Sequence, residues 1–442
     1  MNSSIRIFNY RFTVKEFLLL FFGYMFMEPI FSWLFIPESS IIQSYEKILG
    51  FLVFGFMLYS FPKLKNTEKI YIGLFVLIMI RLVLESLFEF DTFFRQLTMF
   101  YVLFPVIFTL FIKYICRTYD LDILEFIAKF YLVTYILFMV FYGRQFSFDL
   151  GGLDLVDLGP FSGDGRIIHA RSLFMMIIPF LWYLHQFIHN KKFKFLLPLL
   201  FCLVVLLVHQ HRSVWACTIV SVLFYLVINL RADKGSIPKI VKLMIGSLVI
   251  LLIAYFFISA IFPEVIGFFG KRFSEIFNPS NEESTGNFRV QQREVYSKLW
   301  LQRPIFGWTF DGFEMTNPLV DWWDEKTGQH FHEGFMEVLF YHGIVGLLLK
   351  YSFLIYLGIK AFSKKLTEKT IILIPFCLAG LVLSLNYVPN TVFWGHVGLC
   401  LYYLEKENEP GYEEVTEEED AEEEDTFLAH EDFHEPVLES AR

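Results

Sequence analysis

The sequence predicts an all-α polytopic membrane protein with about twelve transmembrane helices and one large loop late in the chain. Three observations predict it. Of the 442 residues, 55% are hydrophobic and 55 are phenylalanine, more apolar surface than a water-soluble domain can hide. These residues fall in runs of about 15–23, close to the roughly 20 needed to cross a hydrocarbon core, and only helices satisfy their backbone groups within one such run. The cations, finally, crowd into alternate connecting segments, the pattern of a chain that crosses a membrane repeatedly.

Taken in order, spans are expected near 16–36, 48–62, 70–90, 97–115, 123–143, 167–187, 195–209, 213–230, 240–262, 343–361, 370–386 and 392–404. The first is too long for a signal-peptide core and lacks a small-residue cleavage site after it, so it is expected to stay as an anchor. The five cysteines lie in or beside spans, with no CxxC and no Cys/His metal spacing, which argues against a disulfide framework. Alternate short segments carry 19 Lys and Arg, against five in the intervening ones (Lys47, Arg95, Arg144, Arg166, Arg212). The side richer in cations is the cytoplasm. Both termini are therefore expected there, and the long segment 263–341 on the external, periplasmic side. The formal net charge of −9 is uneven: residues 405–442 carry −15 and the rest +6. The division is thus a transmembrane body, 1–404, and an acidic tail, 405–442, too polar to bury a core and expected to be disordered in the cytoplasm.

Polar chemistry then gathers at four places. Arg81 and Glu85 lie inside the third span, where an ionisable residue is by default a functional candidate. They are also i,i+4 neighbours, able to neutralise each other on one helix face. The stretch VHQHRSVW (208–215) reads either as a solvated hairpin tip with Trp215 as an interfacial anchor, or as a turn that fixes Arg212 toward an outward cavity. In the long loop, FRVQQREVYSKLWLQRPIFGW (288–308) spaces Arg289, Arg293, Tyr296 and Trp300 as a helix that Pro304 stops. Arg289 and Arg293, one turn apart, offer planar forks suited to phosphate oxygens.

The fourth place is GQHFHEGFMEVLFYHG (328–343). His332 opens a short amphipathic helix, with Phe335, Val338 and Leu339 on one side, that leads into the next span. A neutral imidazole can take a proton from a hydroxyl nucleophile. A metal site from His330, His332, Asp321 and Asp324 is the rival chemistry, but HxH with scattered aspartates lacks a closed ligand set.

In that order and on one side of the membrane, these stretches resemble the O-antigen ligase and polymerase superfamily of bacterial membrane glycosyltransferases. QHRSVW opens a span, the Arg-rich loop stretch is similar to the family's "R…W…PxxGxG", and HEGFMEVLFYHGIVG to its "HNxxLxxLxExGxxG". The sequence departs from these patterns at Glu333, at Trp308-Thr309 and at Tyr341-His342. The resemblance covers 200–360 and implies a lipid-dependent, GT-C-like fold. It implies transfer of a glycan from undecaprenyl diphosphate to an acceptor hydroxyl, with inversion and without a metal or other cofactor. Arg212 and Arg289 match the arginines that hold the diphosphate and His332 the catalytic histidine, with Arg293, Arg166, Arg171 and Glu333 as secondary candidates. The implied partners are that donor, a glycan or lipid A-core acceptor, the lipid bilayer and a chain-length regulator protein, and not nucleic acid. A polymerase extending a surface polysaccharide is favoured over a ligase, with a glycolipid transporter as the reading from another class.

Overall fold

The computed structural model describes residues 4–8, 10–142, 168–190, 192–209, 211–232, 237–261, 285–319, 328–363 and 366–408, with single positions at 263, 267 and 270. Arg166, Asp321, Asp324, most of the 263–284 stretch and the tail beyond Asn408 therefore lie outside the described residues.

The chain opens with a hairpin that the apolar runs do not announce: β1 (Ser4–Ile7) pairs antiparallel with β2 (Tyr10–Thr13). Thr13 then caps α1 (Val14–Gly23). Its Oγ accepts from the Glu16 N–H at 3.3 Å while its own N–H donates to the Glu16 carboxylate at 2.8 Å. The expected first span is not one straight helix. α1 and α2 (Pro29–Phe35) meet at 107° across a 3-10 turn, Met25–Met27. Pro29 lacks the N–H that would continue the first helix, but suits the first turn of a new one. Glu28 is buried at the break.

The remaining helices are α3 (Ser39–Tyr59), α4 (Asn66–Phe90), α5 (Thr98–Tyr119), α6 (Leu124–Tyr142), α7 (Ala170–Phe174), α8 (Ile177–Asn190), α9 (Phe193–Val208), α10 (Arg212–Ala232) and α11 (Ile237–Ile261). Then follow α12 (Thr285–Trp300), α13 (Thr309–Glu314), α14 (Gly334–Ser363), α15 (Glu368–Ser384) and α16 (Thr391–Lys406). Among the described residues, seven helices are long and apolar enough to cross a membrane, or eight if the bent pair is one span. The protein is an all-α polytopic membrane protein.

Helix α5 is the axis of the bundle, buried almost continuously from Met99 to Cys116. Helix α16 packs along it so closely that a Cβ on Gly398 would sit 2.2 Å from the Thr109 carbonyl oxygen. Small residues at such crossings let backbones touch where no hydrophobic effect drives helices together. At the far end of the pair, Lys113 and Arg117 share Glu68 and Glu405 at 2.6–3.3 Å, tying α16 to α4 and α5. Arg81 and Glu85 pair at 3.0 Å, as their spacing predicts. Phe306 lies against the Arg81 guanidinium and the Thr309 hydroxyl donates to Glu85. All five cysteines are buried and unbonded.

Candidate active site

Helix α12 carries Arg289, Gln292, Arg293 and Tyr296, spaced i, i+3, i+4, i+7 and so on one face. That face is fastened along the segment 328–333. Tyr296 Oη donates to Gln329 Oε1 at 2.6 Å, and Arg293 grips the Glu333 carboxylate through Nε at 3.0 and 3.1 Å and through a second, closer nitrogen. Between them the Gln292 amide donates to the His330 carbonyl at 2.7 Å and accepts from the His332 N–H at 3.0 Å. Phe331 turns the other way, buried against Tyr296, Phe340 and Tyr341. The HxH pattern is thereby explained: the two histidine rings lie together and the phenylalanine between them turns inward and anchors them.

His332 is half-buried, with Phe288 edge-on at 5.6 Å and the His330 ring edge-on at 4.9 Å. Burial first, then the charges of His330, Arg289 and Arg171, push its pKa from the usual 6.5 down to about 4. The imidazole is therefore neutral at physiological pH and free to accept a proton. His330 is lowered as well, by burial and by Arg171.

Arg289 stands over the Tyr387 ring at 4.8 Å, with His169 edge-on to the same ring at 5.4 Å. Its Nε is buried and hydrogen-bonds no described residue. Arg293, by contrast, is committed to Glu333, whose carboxylate holds the guanidinium above its ordinary pKa. The two arginines that one helix face was expected to present together thus diverge, because Glu333 stands where the family pattern has an uncharged residue. Glu333 itself is buried, and its role is to hold the segment to α12.

The loop after α12 is seated in a break of α14. Gly343 has φ +59 and ψ −160 inside that helix. The Ile344 and Val345 N–H groups freed there donate to the carbonyls of Pro304 and Ile305 at 2.9 and 3.2 Å, and Trp308 N–H donates to the Phe340 carbonyl at 2.7 Å. Gly307 faces the break with φ +71. A Cβ on Gly307 would lie 2.5 Å from the Phe340 oxygen, and one on Gly343 2.3 Å from the Ile305 oxygen. Neither position accepts another residue without displacement, and the contact fixes α12 relative to the start of α14.

Arg212 begins α10 and is half-buried. Its neighbours correct the picture of a solvated tip. His209 and His211 are buried, bonded to Tyr135 Oη at 2.6 Å and to the Ile168 carbonyl at 2.7 Å. Trp215 is no interfacial anchor: it is buried and its indole N–H donates to the Leu206 carbonyl at 2.9 Å. The histidines of this turn are thus satisfied by segments from elsewhere in the chain, and Trp215 by the end of α9. Through Ile168 the turn adjoins Arg171 on α7, which lies within electrostatic reach of His332, Glu337, Glu46 and Tyr387. Arg289, Arg171 and His332 are therefore brought together. His342 is buried on the far side of the Gly343 break. Among the described residues no three His, Cys, Asp or Glu side chains are grouped to hold a metal ion.

Sequence reasoning missed Tyr387, Glu337 and Gln292. The signal for Tyr387 was faint: NYVPN (386–390) is a Pro/Asn turn between two apolar runs. Two guanidiniums beside a neutral imidazole can hold an anionic leaving group while a hydroxyl attacks.

Residues 197–351 match the family model described as O-Antigen ligase. No curated protein matches the chain. The matched stretch runs from α9 into α14 and holds Arg212, Arg289 and His332, whereas Arg171 and Tyr387 fall outside it. The match covers about a third of the chain, so residues 197–351 of this all-α membrane body are similar to the O-antigen ligase family.

Proposed function

We propose that the protein transfers a glycan from undecaprenyl diphosphate to an acceptor hydroxyl, extending a bacterial surface polysaccharide. The observation that carries the reading is the meeting of Arg289, Arg171 and a neutral His332 at one place. Departure of the diphosphate builds negative charge on phosphate oxygens, and fixed guanidiniums stabilise that charge more in the transition state than in the ground state. The unpartnered Nε of Arg289 leaves a donor for a phosphate oxygen. His332 removes the acceptor proton as the oxygen attacks the anomeric carbon. One direct displacement inverts that centre, and two cations in place of a divalent ion make the reaction metal-independent. Arg212 joins them on the donor side, and Arg166 and Arg293 stand as outer contributors.

In this reading the chain lies in the inner membrane with about twelve crossings and a GT-C-like architecture. Beside the seven long helices and the bent pair, α11 and the shorter helices α9, α15 and α16 complete the count. The termini and the acidic tail face the cytoplasm, and the site opens to the periplasm. Ligation of a finished glycan to lipid A-core is the second reading, favoured by the description of the matched family as O-antigen ligase. Deletion of the gene separates the two. Loss of a polymerase leaves single repeat units on the cell surface, loss of a ligase strands long chains on the carrier lipid, and an unchanged surface glycan refutes both.

A further inference from the structure

We propose that Gln292 is the positioning residue of the catalytic base, holding His332 at the site through two hydrogen bonds to the backbone on either side of Phe331. The inference rests on the reading of His332 as base. Three observations carry it. The first is that the clamp is two-ended: one amide donates to the His330 carbonyl at 2.7 Å and accepts from the His332 N–H at 3.0 Å. A primary amide presents a donor and an acceptor side by side, as a neighbouring strand would, and no apolar or singly functional side chain does. The second is burial. Gln292 is 1% exposed, so water is not at hand to replace either bond.

The third observation concerns the imidazole itself. A catalytic histidine is commonly oriented by a carboxylate or carbonyl on its second nitrogen. Among the described residues nothing hydrogen-bonds the ring of His332; its contacts are the edge-on rings of Phe288 and His330. The placement of the base therefore passes through its backbone, and the backbone is fixed by Gln292. Because Arg289 lies three residues earlier on the same helix, one rigid element sets both the leaving-group cation and the base. A shift of about 1 Å at a reacting group costs on the order of 100-fold in rate.

The test uses full-length protein in detergent with an undecaprenyl-diphosphate-linked repeat unit as donor. Gln292→Met fills the same volume and removes both bonds; Gln292→Glu keeps the acceptor and loses the donor. Expected for Gln292→Met is a kcat about 10- to 100-fold lower with the donor KM within about twofold, since Arg289 is untouched. Gln292→Glu places a carboxylate among His330, His332, Arg289 and Arg171, beside the Arg293–Glu333 pair. It is expected to raise the pH of the acid limb as well as to lower kcat, a change that loss of packing alone would not produce. If Gln292→Met does not fold, Gln292→Glu gives both readouts. Wild-type kcat and acid limb in the variants, with His332→Ala inactive, overturn the clamp and leave the base reading standing. Near-normal turnover by folded His332→Ala overturns the base reading itself.

Discussion

The pH dependence of transfer offers the sharpest test of the site. In the free protein the His332 imidazole titrates at about 4. Burial is the largest cause, and the cations Arg289 and Arg171 add to it. A diphosphate seated on those arginines brings at least two negative charges and cancels the cationic part of the depression, while burial remains. The histidine of the donor complex should therefore titrate above about 4 and below its ordinary 6.5. The limb of kcat/KM reports the free enzyme and that of kcat the complex. Activity needs neutral His332, so both rates fall as pH drops, kcat first. A rise of one to two pKa units corresponds to about 1.4–2.7 kcal/mol of coupling between donor and proton. By linkage, protonation tightens donor binding about 10- to 100-fold, so KM should fall as pH is lowered through this window. The assay is initial rates across about pH 4 to pH 8 at varied donor, with stability checked at each pH. A kcat limb at or below the kcat/KM limb would refute the placement of donor phosphates beside His332, and a kcat/KM limb near 6.5 would refute the buried, cation-facing base.

Substitution of Arg289 by Ala should raise the donor KM and lower kcat, with Lys rescuing only in part because a point charge lacks the planar fork. His332→Ala should instead lower kcat by about 10²–10⁴-fold with KM nearly unchanged, measured in the same steady-state assay. Truncation after Asn408 should leave transfer intact. It removes the acidic tail but keeps Glu405 with Lys113 and Arg117, and Lys406 with Asp120 at 2.6 Å; loss of activity in a truncated protein that still folds would contradict this. Thr309→Val, which keeps the side-chain shape but not its hydroxyl, should lower thermal stability by roughly 1.5–3 kcal/mol, whereas Thr309→Gly should stay within about 1 kcal/mol of the native protein because strain relief offsets the lost bond.

The helices were legible because they have a period behind them, and the stretch 288–343 could be singled out because it has a motif. Apolar runs announced α4, α5 and α6 to within a few residues, and Pro304 announced the end of α12 at Trp300. The i,i+4 spacing of Arg81 and Glu85 gave their pairing. What stayed hidden depends on contacts between segments distant in sequence. The 107° bend in the first span is invisible to hydropathy, since FFGYMFMEPIFSWLF is apolar on both sides of the break; Glu28-Pro29 was its only mark. The stretch 208–215 left a solvated tip and a turn fixing Arg212 equally open, because the partners of its histidines, Tyr135 and Ile168, come from elsewhere in the chain. Tyr387 reaches Arg289 from 98 residues away in sequence. Gln292 is one amide in a polar helix until its two partners are seen.

The meeting of Gly307 and Gly343 gives the two loose motifs a shared physical purpose, and explains the departure at Thr309. Both glycines take positive φ because each backbone enters the space a Cβ would occupy on the other's strand of chain. The motifs are thus two halves of one joint, and their separate looseness follows: only the atoms at the joint are constrained. Two residues beyond Gly307, where the family pattern repeats glycine, Thr309 has φ +45, a conformation that costs a β-branched residue on the order of 1–2 kcal/mol. Its hydroxyl donates to Glu85, and a hydrogen bond to a charged group returns roughly 1.5–3 kcal/mol. The same carboxylate pairs with Arg81, so the departure from glycine links the loop to the ion pair inside α4. The Arg81–Glu85 pair thus anchors the loop to α4. It holds the joint, and through α12 the joint sets Arg289 and His332 relative to each other.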